Sequence, residues 1–262
     1  MEIIDLTENY HHTFFHCLED WSDEIKEAGN HKEIWFQKMR DKGFYAKLAV
    51  ENGDAIGMIQ YLPAEHTVIA GEDLYFINCI WVHGHKKGVG NRQGKGIGKA
   101  LLKAAEEHIR SMGKKGVAAW GLALPFWMKA SWFRKQGYRK CDRDGIMVLL
   151  WKPFTDDARP PKWIREKKRP QKAGDRVTVT AFINGWCPAQ NMVYERAKRA
   201  AQELGDKVEF HSIDTSERNV FLEWGIADGL FIDGKRIGSG PPLAFAKIKK
   251  KMQKRVAKIS AH

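Results

Sequence analysis

The residues best suited to chemistry lie in one short run, Asn91-Arg92-Gln93-Gly94-Lys95-Gly96-Ile97-Gly98-Lys99, between an apolar stretch and an amphipathic one. Glycines at 94, 96 and 98 let a backbone curve and bring several N–H groups close to one anion with no side chain in the way. A helix that starts here adds unpaired amides and a favourable dipole. Arg92, Lys95 and Lys99 add positive charge to that field, with the amides carrying most of the contact. The chemistry this pattern suits is the holding of a phosphate or pyrophosphate. Two phosphate-loop classes are excluded. A P-loop needs Gly-Lys-Ser or Gly-Lys-Thr, and here Gly98-Lys99 is followed by Ala100. A dinucleotide fold puts its glycines after the first strand, whereas these follow about ninety residues of chain.

Other reactive side chains flank this run or stand apart from it. His83 and His85 come directly after the apolar stretch Leu74–Val82 and are candidate bases, as are Glu72 and Asp73 before it. Cys79, in the middle of the stretch, is either a nucleophile or a small buried hydrophobe. Cys187 stands just before a second helical segment, in Phe182-Ile183-Asn184-Gly185-Trp186-Cys187-Pro188-Ala189-Gln190, where a helix terminus stabilises a thiolate. The cysteines, Cys17, Cys79, Cys141 and Cys187, form no Cys-x-x-Cys pair, so no zinc knuckle, dithiol or other metal set is expected. Free thiols suit a reducing, cytoplasmic setting. Trp35, Phe36, Trp120, Phe126, Trp127 and Trp132 are core residues or the wall of an acceptor cleft.

Residues 1–151 alternate helical and extended patterns that would position these groups. Apolar spacing predicts a helix over 11–27, and strands over Phe44–Val50 and Ala55–Tyr61 flank the turn Glu51-Asn52-Gly53-Asp54. A central strand is expected at Leu74–Val82, a helix at Lys99–Met112 and a strand at Lys115–Leu122. A short helix over Met128–Gln136 stops at Gly137, and Ile146–Trp151 closes the region as a strand. Residues 152–175 form a basic linker interrupted by Pro153, Pro160, Pro161 and Pro170. Residues 176–262 read β-α-β-α-β-β-α, with strands at Val177–Ile183, Val208–Ile213, Leu230–Ile232 and Arg236–Ile237 and helices at Asn191–Leu204, Ser216–Trp224 and Pro241–Lys254.

A chain of 262 residues with 43% hydrophobic and 29% charged residues has the profile of a folded protein. It has no apolar run long enough to span a bilayer, and its N-terminus is acidic where a signal peptide would be basic. The net charge of +12 favours an anionic partner. Much of it falls in residues 152–172 and in seven Lys and Arg at 247–258. These read as solvated surface. Nucleic acid is disfavoured as a partner because no basic strand face carries the stacking aromatics of single-strand binders. A homo-oligomer is allowed for.

Residues 1–151 resemble the GCN5-related N-acetyltransferase (GNAT) superfamily. Its Gln/Arg-x-x-Gly-x-Gly/Ala signature is matched by Gln93, Gly96 and Gly98 and continued by Lys99-Ala100-Leu101-Leu102. The resemblance implies an α/β fold with a mixed, splayed central sheet, and acetyl transfer from acetyl-CoA to an amine. It implies that Arg92, Gln93, Gly94, Lys95, Gly96, Ile97, Gly98 and Lys99 hold the pyrophosphate. By the same analogy Cys79, Ile80, Trp81 and Val82 line the pantetheine arm, and strand 115–122 forms the other side of the splay. Many members carry an acidic tyrosine four residues before the glycine that ends the penultimate helix. Here that position, beside the sulfur, is Phe133, and Tyr138 follows Gly137 as core or rim. A small-molecule amine is the expected acceptor. A peptide or protein amine, or a non-catalytic acyl-CoA sensor, is the alternative.

Residues 176–262 resemble the thioredoxin fold, in which Trp-Cys-x-x-Cys occupies the strand–helix junction of Trp186-Cys187. Gln190 replaces the second cysteine and Ala227 the usual proline, which argues against a dithiol oxidoreductase. A single-thiol site at Cys187 or a docking module is left open. The whole also resembles acetyltransferases followed by a YoaP-like module, with the likeness carried by Phe221–Gly240.

Overall fold

The computed structural model describes residues 1–124, 127–238 and 240–259. In chain order the elements are β1 (Glu2–Asp5), α1 (His11–Phe15), α2 (Asp23–Lys26), α3 (His31–Met39), β2 (Tyr45–Glu51), β3 (Asp54–Pro63), β4 (Ile69–Ala70) and β5 (Leu74–Val82). There follow α4 (Ile97–Ser111), β6 (Gly116–Leu122), α5 (Ala130–Lys135), β7 (Arg139–Asp144), β8 (Met147–Pro153) and β9 (Lys162–Trp163). The last group is β10 (Val177–Ile183), α6 (Pro188–Leu204), β11 (Val208–Asp214), α7 (Arg218–Trp224), β12 (Gly229–Ile232), β13 (Lys235–Arg236) and α8 (Phe245–Ile259). The chain divides into two compact units, Met1–Trp21 with Phe36–Ile164, and Ser22–Trp35 with Arg165–His262.

The first unit is built on a seven-stranded sheet of order β1-β2-β3-β5-β6-β8-β7. The β2–β3 hairpin turns at Asn52 and Gly53, both left-handed at φ 53° and 87°, as an Asn-Gly hairpin turn requires. Helix α4 buries Leu101, Leu102, Ala105 and Ile109 against Ile59, Tyr61 and Ile77. Gly57 permits that close packing, because a Cβ there would lie 3.0 Å from Ile97 and 3.1 Å from Leu101.

Two irregularities in the middle of the sheet matter for function. Gln60 pairs with Cys79 but Tyr61 pairs with Ile77, so Asn78 is an extra residue that bulges β5. Strands β5 and β6 run parallel and pair only from Leu74–Gly116 to Ile77–Ala119. Beyond that point they splay, and the indole Nε1 of Trp120 donates to the Asn78 carbonyl at 2.8 Å where ladder bonds have stopped. The mixed, splayed sheet expected from the sequence is present.

Several local expectations are corrected. The helix predicted over 11–27 is two short helices, because Cys17 and Leu18 take left-handed φ values of 53° and 64° and end the first of them. The edge strands β1 and β7 have no counterpart in the sequence reading. The proline-rich stretch contains β9, which pairs with β4 through Ile69–Trp163 and Ala70–Lys162.

The second unit has a four-stranded sheet of order β11-β10-β12-β13, with β10 parallel to β11 and antiparallel to β12. Its core joins Ala197, Ala200 and Ala201 of α6 to Ile248 and Met252 of α8 over the β10 valines. The Ser22–Trp35 segment packs Ile25 and Ala28 against Met192. It is held to α6 by Arg196, 4% exposed, whose Nε donates to Glu27 at 3.1 Å and Nη2 to Glu24 at 3.0 Å. His31 and Glu195 add a 2.6 Å contact.

Candidate active site

The glycine run leaves β5 through residues 83–96 and enters α4 at Gly96, which caps the helix in the left-handed region at φ 79°. Gly94 is also left-handed at 80°, and no atom lies within 4 Å of a Cβ built on either residue. Glycine is required at both for conformation, and the backbone they shape is open to one side. Gly98 differs. Its φ is ordinary, and a Cβ there would meet Trp132 at 3.5 Å, a normal contact. Lys95 and Lys99 are exposed beside the run, whereas Ile97 is buried at 4% exposure and serves as core.

The loop is held in shape by side chains that the sequence reading had assigned to other tasks. Arg92 donates from Nη1 to Glu51 at 2.7 Å and from Nε to the Val89 carbonyl at 2.8 Å, so its guanidinium ties the loop to β2. Gln93 donates from Nε2 to the Val82 carbonyl at 3.2 Å, and its amide is bound by Asn91. His83 is fully buried. Its Nδ1 lies 2.8 Å from the Gly90 carbonyl and its Nε2 accepts from the Trp21 indole at 3.1 Å. These partners require the neutral tautomer with the proton on Nδ1, which leaves no lone pair on His83 for a substrate proton.

His85 stands in a different environment. Its Nε2 lies 3.2 Å from Glu19 Oε1, with the histidine side chain 47% exposed and the glutamate 19%. Trp21 and Trp81 flank the ring, with centroids at 5.5 and 6.2 Å. A carboxylate on one ring nitrogen of an accessible imidazole is an arrangement that orients it for proton transfer. Glu19 and Trp21 went unnoticed in the sequence because they lie more than sixty residues from the histidines. The helix predicted across them also hid the turn that presents them.

Along the splay, Cys79 is buried, and Ile80, Trp81 and Val82 are partly covered. Strand β5 pairs with β6 only as far as Ile77, so Asn78–Val82 lie beyond the last β5–β6 pair. On the sheet face away from α4 lies a set of buried polar atoms with no hydrogen-bond partner: both amide atoms of Gln60, Asn78 Oδ1 and Trp81 Nε1. Each such atom carries a desolvation cost of about 1–3 kcal/mol until it is paired. Polar residues inside otherwise apolar strands were the available signal for this set.

Phe133 is fully buried, edge-on to Trp132 and Tyr138 at 4.9 and 5.4 Å. The Tyr138 hydroxyl is buried beside Glu106, and burial together with that carboxylate holds its pKa well above the ordinary phenol value. Burial and Asp142 push the Cys141 thiol up to about 12, which makes it a poor nucleophile. In the second unit Cys187 is the N-cap of α6, and its carbonyl accepts the first bonds of the helix from Gln190 and Asn191. Trp120 and Trp127 pack edge-to-face at 5.2 Å, and Phe126 lies outside the described residues. No cluster of potential metal ligands occurs among the described residues.

Residues 4–125 match the family model of the acetyltransferase (GNAT) family. That match lies largely within the first unit and supports an acetyl-CoA-dependent acetyltransferase. The uncharacterized N-acetyltransferase YoaP of Bacillus subtilis (strain 168) is 22% identical over 210 residues, which span 77% of this chain and 78% of that protein. Solved structures with a similar first unit include a GNAT acetyltransferase of Brucella melitensis in complex with acetyl-CoA, at 16% identity and TM-score 0.42. That match covers 61% of this chain and 91% of the other. Another is PaiA N-acetyltransferase of Thermoplasma acidophilum in complex with coenzyme A, at 16% identity, TM-score 0.44, and coverage of 58% and 98%. No helix among the described residues is long and apolar enough to cross a membrane.

Proposed function

We propose that the protein moves the acetyl group of acetyl-CoA onto the amine of a small molecule. The observation that carries this reading is the continuity of the β5–β6 splay with an open glycine backbone at the start of α4. The left-handed Gly94 and Gly96 and the open side of the loop fit a pyrophosphate. The amides of Gly94 to Lys99 would hold it, and Cys79–Val82, which lie past the last β5–β6 pair, would line the pantetheine arm. Bound there, acetyl-CoA supplies an activated thioester.

The residues of this chain divide the remaining work. Arg92 and His83 fix the loop. His85, oriented by Glu19, takes the proton from the acceptor nitrogen. Phe133 gives packing near the sulfur and no proton. In the second unit, the strand order and the β-α-β-α-β-β-α sequence support a thioredoxin-like, YoaP-like module. With Gln190 in place of a second thiol, that module has no dithiol chemistry, and Cys187 serves at most as a single-thiol contact. Residues 1–151, 152–175 and 176–262 are the sequence segments we assign to the acetyltransferase, the linker and the module, in a cytoplasmic protein.

Incubated with acetyl-CoA and a panel of amines, polyamines and peptides, the full chain is expected to release free CoA only when a small amine is present. CoA binding without turnover across the panel would overturn the proposal, and turnover with peptides alone would transfer it to protein substrates. His85→Ala is expected to lower kcat about 100-fold or more and leave CoA affinity unchanged, as measured by single-turnover kinetics and titration. Equal kcat in the variant removes His85 as the base.

A further inference from the structure

Against the sequence expectation of a solvated surface, we infer that the outer face of α8 binds the phosphate backbone of a nucleic acid, a contact that needs no stacking aromatics. Lys247, Lys250, Lys251, Lys254 and Lys258 recur at intervals of three, four, seven and eleven residues from the first. At about 100° per residue this spacing puts all five within roughly a 100° arc of the helix. All five are exposed. Among the described residues none has an acidic partner. The carboxylates that do reach α8 are taken by basic residues beside the stripe, Glu203 by Lys249 at 2.6 Å and Asp233 by Arg255 at 3.9 Å.

The stripe runs from residue 247 to 258, about 16 Å at 1.5 Å per residue. Along that length each of the five lysines can meet one backbone phosphate. Five like charges on one face repel each other, a cost that an anionic partner relieves. A bilayer is the weaker match. An interfacial helix needs an apolar face free to enter the lipid, and here Ile248 and Met252 are buried in the core of the unit. Lysine ammoniums contact phosphate as point charges and do not read base edges, so the binding is independent of sequence.

The test uses the full chain and a labelled single-stranded RNA of about twenty nucleotides, with affinity followed from about 50 to 200 mM salt. At about −0.7 per contact, five contacts give a slope of log K against log salt near −3.5, a loss of about 100-fold across that range. The variant with all five lysines changed to Gln is expected to lose most of this slope and affinity. A control that changes Lys103, Lys135, Lys140, Lys172 and Lys207 to Gln alters net charge equally and is expected to keep both. Circular dichroism checks that both variants are folded. Equal losses in the two variants would overturn the inference in favour of diffuse charge. So would no binding at about 150 mM salt, or binding to phosphatidylserine vesicles in place of RNA.

Discussion

Gly98→Ala is expected to weaken CoA binding about 10- to 100-fold while leaving the melting temperature unchanged. The two halves of this expectation come from different observations. Within the protein, the added methyl meets only Trp132 and Val82, at 3.5 and 3.7 Å, and the backbone there is not left-handed, so the fold tolerates it. Toward the cofactor, the methyl stands on the first turn of α4, where the amides of the proposed cradle converge. Losing one hydrogen bond to a charged phosphate costs about 1.5–3 kcal/mol, which is the stated range of affinity. Gly96→Ala makes a useful contrast. It forces a side chain into a left-handed cap and is expected to lower stability by about 1 kcal/mol as well. Isothermal titration with CoA, paired with thermal melts, separates the two variants. Full CoA affinity in Gly98→Ala would move the pyrophosphate away from this turn.

The second large effect is expected at Arg196. This side chain is nearly enclosed and bonds Glu24, Glu27 and the Leu243 carbonyl. Arg196→Ala takes the carbonyl's partner away and leaves Glu27 only Arg199 at 3.3 Å; with the carboxylates partly exposed, the loss is expected at about 1.5–3 kcal/mol, the range of a hydrogen bond to a charged group. Denaturant unfolding is expected to show that loss, and limited proteolysis to show new cleavage within 22–35. The pair also sets a pH dependence. The hydrogen bond from Arg196 lowers the folded-state pKa of Glu27, against the opposing effect of burial. A carboxylate with a lowered folded pKa contributes its stabilisation above the ordinary carboxylate range, and that contribution fades as pH falls through the folded value. Wild type is therefore expected to lose stability more steeply than Arg196→Ala below about pH 4. Parallel acid branches for the two proteins would show that the bond contributes little.

The legibility of this molecule in its sequence followed how local each determinant was. Strand β5 and strand β10 lie where their apolar runs put them, because buried central strands are written as continuous hydrophobic residues. The glycine run was readable for the same reason, since its conformation, its cap and its helix are adjacent in the chain. The break at Cys17-Leu18 was not, because neither residue favours a left-handed backbone and no glycine or proline marks the turn. Strand β7, Arg-Lys-Cys-Asp-Arg-Asp, is a polar edge strand and carries no strand-like pattern. At the site, His83 looked like a base because its two partners, Trp21 and Gly90, could not be seen together. Arg92 reads in the sequence as a phosphate ligand, and its bonds to Glu51 and the Val89 carbonyl lie outside what spacing can show. Glu19 meets His85 from a distant part of the chain, and spacing has no access to that information.

The Ser22–Trp35 segment has a consequence for synthesis on the ribosome. Its partner residue Arg196 lies 169 positions after Glu27, so the segment emerges long before α6 exists. At about 5–20 residues per second, roughly ten to thirty seconds pass with Ile25 and Ala28 uncovered. During that interval the nascent chain carries an apolar patch inside a half that is otherwise ready to fold. Premature termination anywhere before α6 would strand that patch in the open, which makes truncated products of this chain natural targets for chaperones and proteases.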